Sequence, residues 1–170
     1  TDIVVDVPKV STKIASQKYP VRVLQIQKMS DDVMSLTLGL PPNQPVHFQA
    51  GQFVDFLLDG GVRRSYSIAT APKAQGVRQL EFHIRHLPGG HFTPHVFSNM
   101  KVRDLLQIEM PLGSFYLKED SVGPMILLAS GTGFAPIKSI LTTLAERNSL
   151  RSIHLYWGGR QKQDLYDMEF

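Results

Sequence analysis

The chain has 170 residues, 42% hydrophobic and 19% charged, with a formal net charge of +3 and no cysteine. That is an ordinary globular balance, and it excludes disulfides, a thiol nucleophile and a cysteine-ligated iron–sulfur cluster within these residues. Lys and Arg are scattered rather than gathered in blocks, which argues against a nucleic-acid surface; no apolar run of about 18 residues and no basic-then-apolar leader occur, so neither a membrane span nor a signal peptide is expected and the chain is placed in the cytoplasm.

Residues 1–18 are polar and irregular and read as a linker. From Tyr19 apolar and polar residues alternate. Strands are expected over Val21–Met29, Val33–Leu40, Gln52–Leu58, Arg63–Ala69, Gln79–Leu87 and Leu105–Met110, separated by Pro- and Gly-rich turns, with a short helix over Thr93–Met100. Many short strands between turns indicate a closed antiparallel barrel or a sandwich. Past Val122 the pattern changes. MILLAS (Met125–Ser130) is continuously apolar, as in a parallel strand buried on both faces. GTGFAP follows, then a helix over Ile137–Arg147 with Ile137, Ile140, Leu141 and Leu144 on one face, then a strand over Ile153–Trp157. This is a βαβ unit, and the domains divide as 19–121 and 122–170. One βαβ unit leaves a parallel sheet incompletely covered, so the sequence reads as a piece of a longer chain.

Three segments carry chemistry. Gly131 and Gly133, in the turn between an apolar strand and a helix, permit a phosphate to approach backbone N–H groups, and Pro136 is tolerated in the first helical turn. A strand–helix turn that merely needs glycine explains the same residues. In RRSYSIA, alternation puts Arg64 and Tyr66 on one side of a strand and Ser65 and Ser67 on the other. The Arg suits a diphosphate and the Tyr an aromatic ring, although a surface Arg and a packed Tyr are the plainer explanation. In HIRHLPGGHFT, the N–H groups of Gly90–Thr93 offer an anion site, with Thr93 as helix cap or ligand; a Pro-Gly-Gly turn with an N-cap accounts for it equally.

In order and spacing the three segments together resemble the ferredoxin–NADP reductase superfamily, most closely reductases of the CDP-6-deoxy-glucoseen reductase type and bacterial oxygenase reductase components. The matching residues are Arg64, Tyr66 and Ser67 (R-x-Y-[ST]), His83–Arg85 with Gly89–Thr93, and Gly131–Pro136, supported by Ala50–Phe53, Pro111-x-Gly113-x-Phe115 and Tyr156–Arg160. The resemblance implies a mainly β fold: an antiparallel Greek-key FAD-binding barrel followed by the start of an α/β nicotinamide-nucleotide-binding domain. It implies an oxidoreductase passing electrons from NADH or NADPH through FAD to an iron–sulfur centre or another acceptor protein, with a [2Fe–2S] centre in a separate domain. In that scheme Arg64 pairs with the FAD diphosphate, Ser65 sits within the same motif, Tyr66 packs on the flavin, and Ser67 lies near flavin N5. His83, Ile84 and Arg85 frame the ribityl and adenosine side, largely through backbone. Gly89, Gly90, Phe92 and Thr93 hold the diphosphate. Gly131, Thr132, Gly133 and Pro136 meet the dinucleotide, with Thr132 by the nicotinamide; Ser67 and Thr132 are the catalytic candidates.

The sequence departs from the family where Arg103 replaces a turn Gly and Ser130 a Gly, and it has no counterpart of the later nicotinamide-domain motifs, so a fragment that binds FAD without turnover is the alternative. Arg160 and Lys162 leave NADH and NADPH undistinguished. His91 and His95 could share a helix face, but His83 and His86, three apart on a strand, face opposite sides and no acidic residue joins them at ligand spacing, so no metal is expected. Phe48, Phe53, Phe56 and Tyr66 alternate like core residues rather than a nucleic-acid stacking platform.

Overall fold

The computed structural model describes residues 14–170, so most of the segment read as a linker lies outside the described residues; Gln17 and Lys18 already pair with Met110 and Glu109. Six antiparallel strands follow: β1 (Gln17–Lys28), β2 (Val33–Gly39), β3 (Phe53–Leu57), β4 (Arg63–Ser67), β5 (Gln79–Arg85) and β6 (Leu105–Leu112), with helix α1 (Thr93–Ser98) between the last two. They lie in the order β4-β3-β6-β1-β2-β5, the expected Greek key. The seam between β4 and β5 is drawn together by the Ala69 N–H, which donates to the Glu81 carbonyl at 2.8 Å.

Strand β1 has two partners. Its first half pairs with β6 and its second with β2, and the register slips between Val23 and Gln25. The bulge explains the burial pattern: Tyr19, Val21 and Val23 point inward, and after Leu24 the phase flips so that Ile26 packs against the core. The barrel is filled by Val23, Leu36, Leu38, Phe56, Phe82, Ile84, Ile108 and Met110, all fully buried. Each such large side chain contributes about 1.5–3 kcal/mol of burial. Phe48 and Phe56 are core, as their alternation indicated.

Positive φ at two of the turns bears on the barrel's build. Gly113 has φ +95° and its Cα rests on the Phe53 ring; a Cβ there would lie 2.7 Å from that ring. Gln52 braces the same corner, donating from Nε2 to the Gly113 carbonyl at 3.1 Å and accepting from the Gln49 N–H at 2.8 Å. Arg103 stands third in a turn closed by the Asp104 N–H on the Lys101 carbonyl, and adopts φ +82°. The turn that ordinarily takes glycine is therefore retained with an arginine in it.

The second lobe is β7 (Met125–Ser130), a tight turn at Gly131–Gly133, α2 (Phe134–Glu146) and β8 (Ile153–Gly158), with β7 and β8 parallel. Phe134, Ile137, Ile140 and Leu144 of α2 pack on Leu127 and on Ala50 and Leu117 from the barrel side. One expectation is corrected here. β7 is covered on one face only, and Ile126 and Leu128 are 68% and 73% exposed. An apolar run marks a strand, but what covers it is a property of the surrounding chain. Among the described residues no helix is long and apolar enough to cross a membrane.

The lobes are joined by polar ties: the Ser139 hydroxyl donates to the Thr70 carbonyl at 2.7 Å, and Lys73 pairs with Glu146.

Candidate functional site

Alternation along β4 is as the sequence indicates. Arg64 and Tyr66 stand opposite Phe56 and Val54 in the register, and Arg63, Ser65 and Ser67 oppose Leu57, Asp55 and Phe53. Tyr66 packs edge-on against Phe56 at 5.3 Å and obliquely against Phe92 at 5.7 Å. Burial pushes its hydroxyl pKa up, and the Arg64 charge partly offsets this.

The two neighbouring arginines divide their roles. Arg63 binds Asp55 at 3.3 Å and Glu109 at 2.9 Å on the outer face. Arg64 is exposed and, among the described residues, forms no ion pair; its Nη1 donates to the Arg63 carbonyl at 2.7 Å. Ser65 donates to Asp55 at 2.6 Å, so its hydroxyl belongs to the outer cluster, while Ser67 is half-buried.

After β5 the chain turns at Gly89, with φ +74°. The Gly90 N–H is taken by the Leu87 carbonyl at 3.0 Å. Thr93 is not the cap of α1: the cap position is Phe92, without a side-chain bond, and the Thr93 hydroxyl accepts from the Leu87 N–H at 2.8 Å and donates to the Leu87 carbonyl at 3.1 Å. Thr93 therefore shapes the loop. Phe92 is buried among Phe56 and Tyr66, with His91 and His95 lining a neighbouring cleft of about 670 Å³. No cluster of three metal-ligating side chains exists among the described residues.

The outer face of β5 is where sequence reasoning saw least. Ile84 points into the barrel, whereas Glu81, His83 and Arg85 point at the second lobe. The buried His83 ring meets Glu81 through Nε2 at 3.0 Å and the Tyr166 hydroxyl through Nδ1 at 2.8 Å. His83 lowers the Glu81 pKa to about 2, with Lys138 and Ser35 assisting against the opposing effect of burial. Tyr166 is pushed above its ordinary value by burial. Lys138 also binds Asp167 at 2.8 Å. None of Glu81, Lys138, Tyr166 or Asp167 was marked by a motif; the hint was the polar alternation Glu81, His83, Arg85 between Leu80, Phe82 and Ile84.

Arg85 reaches Asp32 at 3.1 Å and Asp164 at 3.4 Å and lies against Gly131, where a Cβ would sit 2.8 Å from Nη1. The Asp164 carboxyl is held below its usual range, first by the Gln161 N–H and then by the Arg160 N–H and the two guanidinium groups, against the effect of burial. Arg85, Ser130, Gly131, Gly158, Gly159, Arg160 and Asp164 line a cleft of about 560 Å³ at the carboxyl ends of β7 and β8, the position at which open α/β sheets take ligands. Gly131 has φ +50°, Thr132 is half-buried, Gly133 is exposed, and Pro136 is buried in the first turn of α2.

A barrel carrying, on one face of β4, a tyrosine and an arginine that forms no ion pair among the described residues is joined to a strand–glycine turn–helix. The chain belongs to the oxidoreductase FAD-binding domain family, whose model matches residues 20–116, and the oxidoreductase NAD-binding domain model matches residues 127–170. It is 40% identical over 169 residues to CDP-6-deoxy-L-threo-D-glycero-4-hexulose-3-dehydrase reductase of Yersinia pestis, covering 98% of this chain and 50% of that protein. It is 42% identical over 153 residues to terephthalate 1,2-dioxygenase reductase component 1 of Comamonas sp, covering 89% and 44%. Among solved structures, the Amycolatopsis cytochrome P450 reductase GcoB superposes with a TM-score of 0.80 at 38% identity, over 91% of this chain and 46% of that one. The chain thus spans about half the length of the curated relatives it matches.

Proposed function

We propose that this chain is the flavin-binding part, with the opening of the nicotinamide-nucleotide lobe, of a cytoplasmic flavoprotein oxidoreductase. It passes electrons from NADH or NADPH through FAD to an iron–sulfur centre or another acceptor protein. The observation that carries this reading is Arg64: its neighbour Arg63 takes the nearby carboxylates, and Arg64 is left as an exposed cation beside the Tyr66–Phe92 aromatic pair. A dinucleotide's diphosphate and ring need that pairing of cation and aromatic face. We divide the chain at 19–121 and 122–170, a division supported by family matches over 20–116 and 127–170, although the second apolar cluster draws Ala50 and Leu117 from the first part.

FAD, when bound, supplies the redox chemistry. Arg64 neutralises its diphosphate, Tyr66 packs against its ring system, and Ser67 offers a hydroxyl on the same strand. Gly89, Gly90 and Thr93 shape the loop beside the diphosphate, while Phe92 and Ile84 serve from the core, through backbone alone in the case of Ile84. The Gly131–Gly133 turn, with Thr132, receives the nicotinamide nucleotide. His83 and Arg85 act toward the second lobe.

One observation favours a second reading, FAD binding without turnover. The Arg85 guanidinium packs on Gly131, in the mouth of the turn that a dinucleotide would approach. Reconstitution with FAD, removal of the excess and a visible spectrum test the flavin site. Anaerobic addition of NADH or NADPH then separates the two readings: bleaching of the flavin bands supports turnover, unchanged bands support the second reading, and a folded but colourless chain refutes both.

A further inference from the structure

Strand β5 and the turn that carries Thr132 lie in different lobes, yet an unbroken chain of side chains joins them. The Glu81 carboxylate accepts from His83 Nε2–H at 3.0 Å, and His83 Nδ1 is hydrogen-bonded with the Tyr166 hydroxyl at 2.8 Å. An ionised carboxylate only accepts, so Nε2 is the donor in the bond to Glu81. The Tyr166 ring stands edge-on to Trp157 at 5.2 Å. Trp157 stacks on Phe134 at 3.9 Å, and its Nε1–H donates to the Gly131 carbonyl at 3.0 Å.

We propose that Tyr166 is a positioning residue for nicotinamide-driven flavin reduction, tying the Gly131–Gly133 turn to strand β5 through its hydroxyl on His83 and its ring edge on Trp157. This rests on the flavoprotein reading above. A tyrosine that only filled space would not need a fully buried histidine bonded on both ring nitrogens. The tie is doubled by Lys138, which spans Glu81 and Asp167 next to Tyr166. The turn is then held from two sides, by the Trp157 indole and by the Arg85 guanidinium. Both reach back to the same face of β5, which adjoins the strand bearing Arg64, Tyr66 and Ser67 across the barrel seam. A nucleotide seated on that turn is thereby set at a fixed separation from the flavin strand, and errors of about 1 Å in such separations cost up to about a hundredfold in rate.

The test is Tyr166→Phe in the full chain, which removes one hydroxyl and keeps the ring. The sequence has a single tryptophan, so the Trp157 indole N–H gives one unambiguous NMR signal. Its exchange with solvent is expected to quicken about tenfold, with amide exchange at Val23 and Ile108 in the barrel core unchanged. Flavin reduction by NADH or NADPH is expected to slow about tenfold while the FAD dissociation constant stays within about twofold. An indole signal that exchanges equally in both chains overturns the tie. Faster indole exchange with an unaltered reduction rate overturns the positioning role, as does an unsubstituted chain that binds FAD but is not reduced. An unsubstituted chain that takes up no FAD refutes the functional reading itself, and is told apart by its lack of colour.

Discussion

Replacing Glu81 with Gln isolates the charge at the centre of the inter-lobe network. The carboxylate accepts from His83, from the Ser35 hydroxyl at 3.1 Å and from Lys138 at 3.4 Å, and its pKa falls from the ordinary 4.5 to about 2. The folded protein therefore holds this proton less tightly than the unfolded chain. The resulting stabilisation is complete above about pH 4.5 and is lost as the pH falls toward about 2. The difference is worth about 3 kcal/mol at neutral pH, of which about 2 kcal/mol has gone by about pH 3. Urea unfolding of both chains at about pH 7 and about pH 3 reads it directly. Glu81→Gln is expected to be less stable by about 3 kcal/mol at the higher pH and by about 1 kcal/mol at the lower, because only the native Glu loses its charge. A gap of the same size at both pH values would refute the electrostatic origin.

Arg64→Ala is expected to weaken FAD binding about a hundredfold with a thermal midpoint within a few degrees of the parent, since this exposed side chain forms no ion pair in the described structure. Arg63→Ala, which breaks the outer pairs with Asp55 and Glu109, is expected to shift the thermal midpoint little and leave FAD affinity unchanged; titration of both with FAD compares them, and equal losses of affinity would remove the diphosphate role. Gly113→Ala drives a methyl into the Phe53 ring at φ +95° and is expected to cost more than about 2 kcal/mol in urea unfolding. Arg103→Gly relieves a positive φ and is expected to raise stability by up to about 1 kcal/mol in the same assay.

What the sequence revealed depended on how local each signal was. The strands of the barrel, α2 and the βαβ order followed from periodicities of two and 3.6, and Arg64 with Tyr66 fell on one face because alternation along a short strand is a local property. The bulge at Leu24 was not legible, although the phase flip from Val23 to Ile26 is its trace. The sequence leaves Thr93 as helix cap or ligand, and in the structure the Leu87 backbone takes its hydroxyl. The residues joining the lobes were missed for a different reason. Glu81 on β5, Lys138 on α2, and Asp164, Tyr166 and Asp167 in the segment after β8 are polar residues far apart in sequence, and only tertiary folding brings the three segments together. His83 and Arg85 are expected to frame the flavin largely through backbone, and their side chains, which that expectation leaves free, face the second lobe.

The strand order β4-β3-β6-β1-β2-β5 also sets a timetable for the growing polypeptide. β6 is the last barrel strand to leave the ribosome and it lies in the middle, between β3 and β1. Until it arrives, β1, β2 and β5 can associate on one side and β3 with β4 on the other, each presenting a row of unpaired N–H and C=O groups where β6 will insert. The barrel therefore completes in one late, long-range step, of the kind that folds slowly. Between synthesis of β3 and synthesis of β6 the nascent chain carries two open β edges awaiting the same strand, and it is in that interval that chaperone protection matters most.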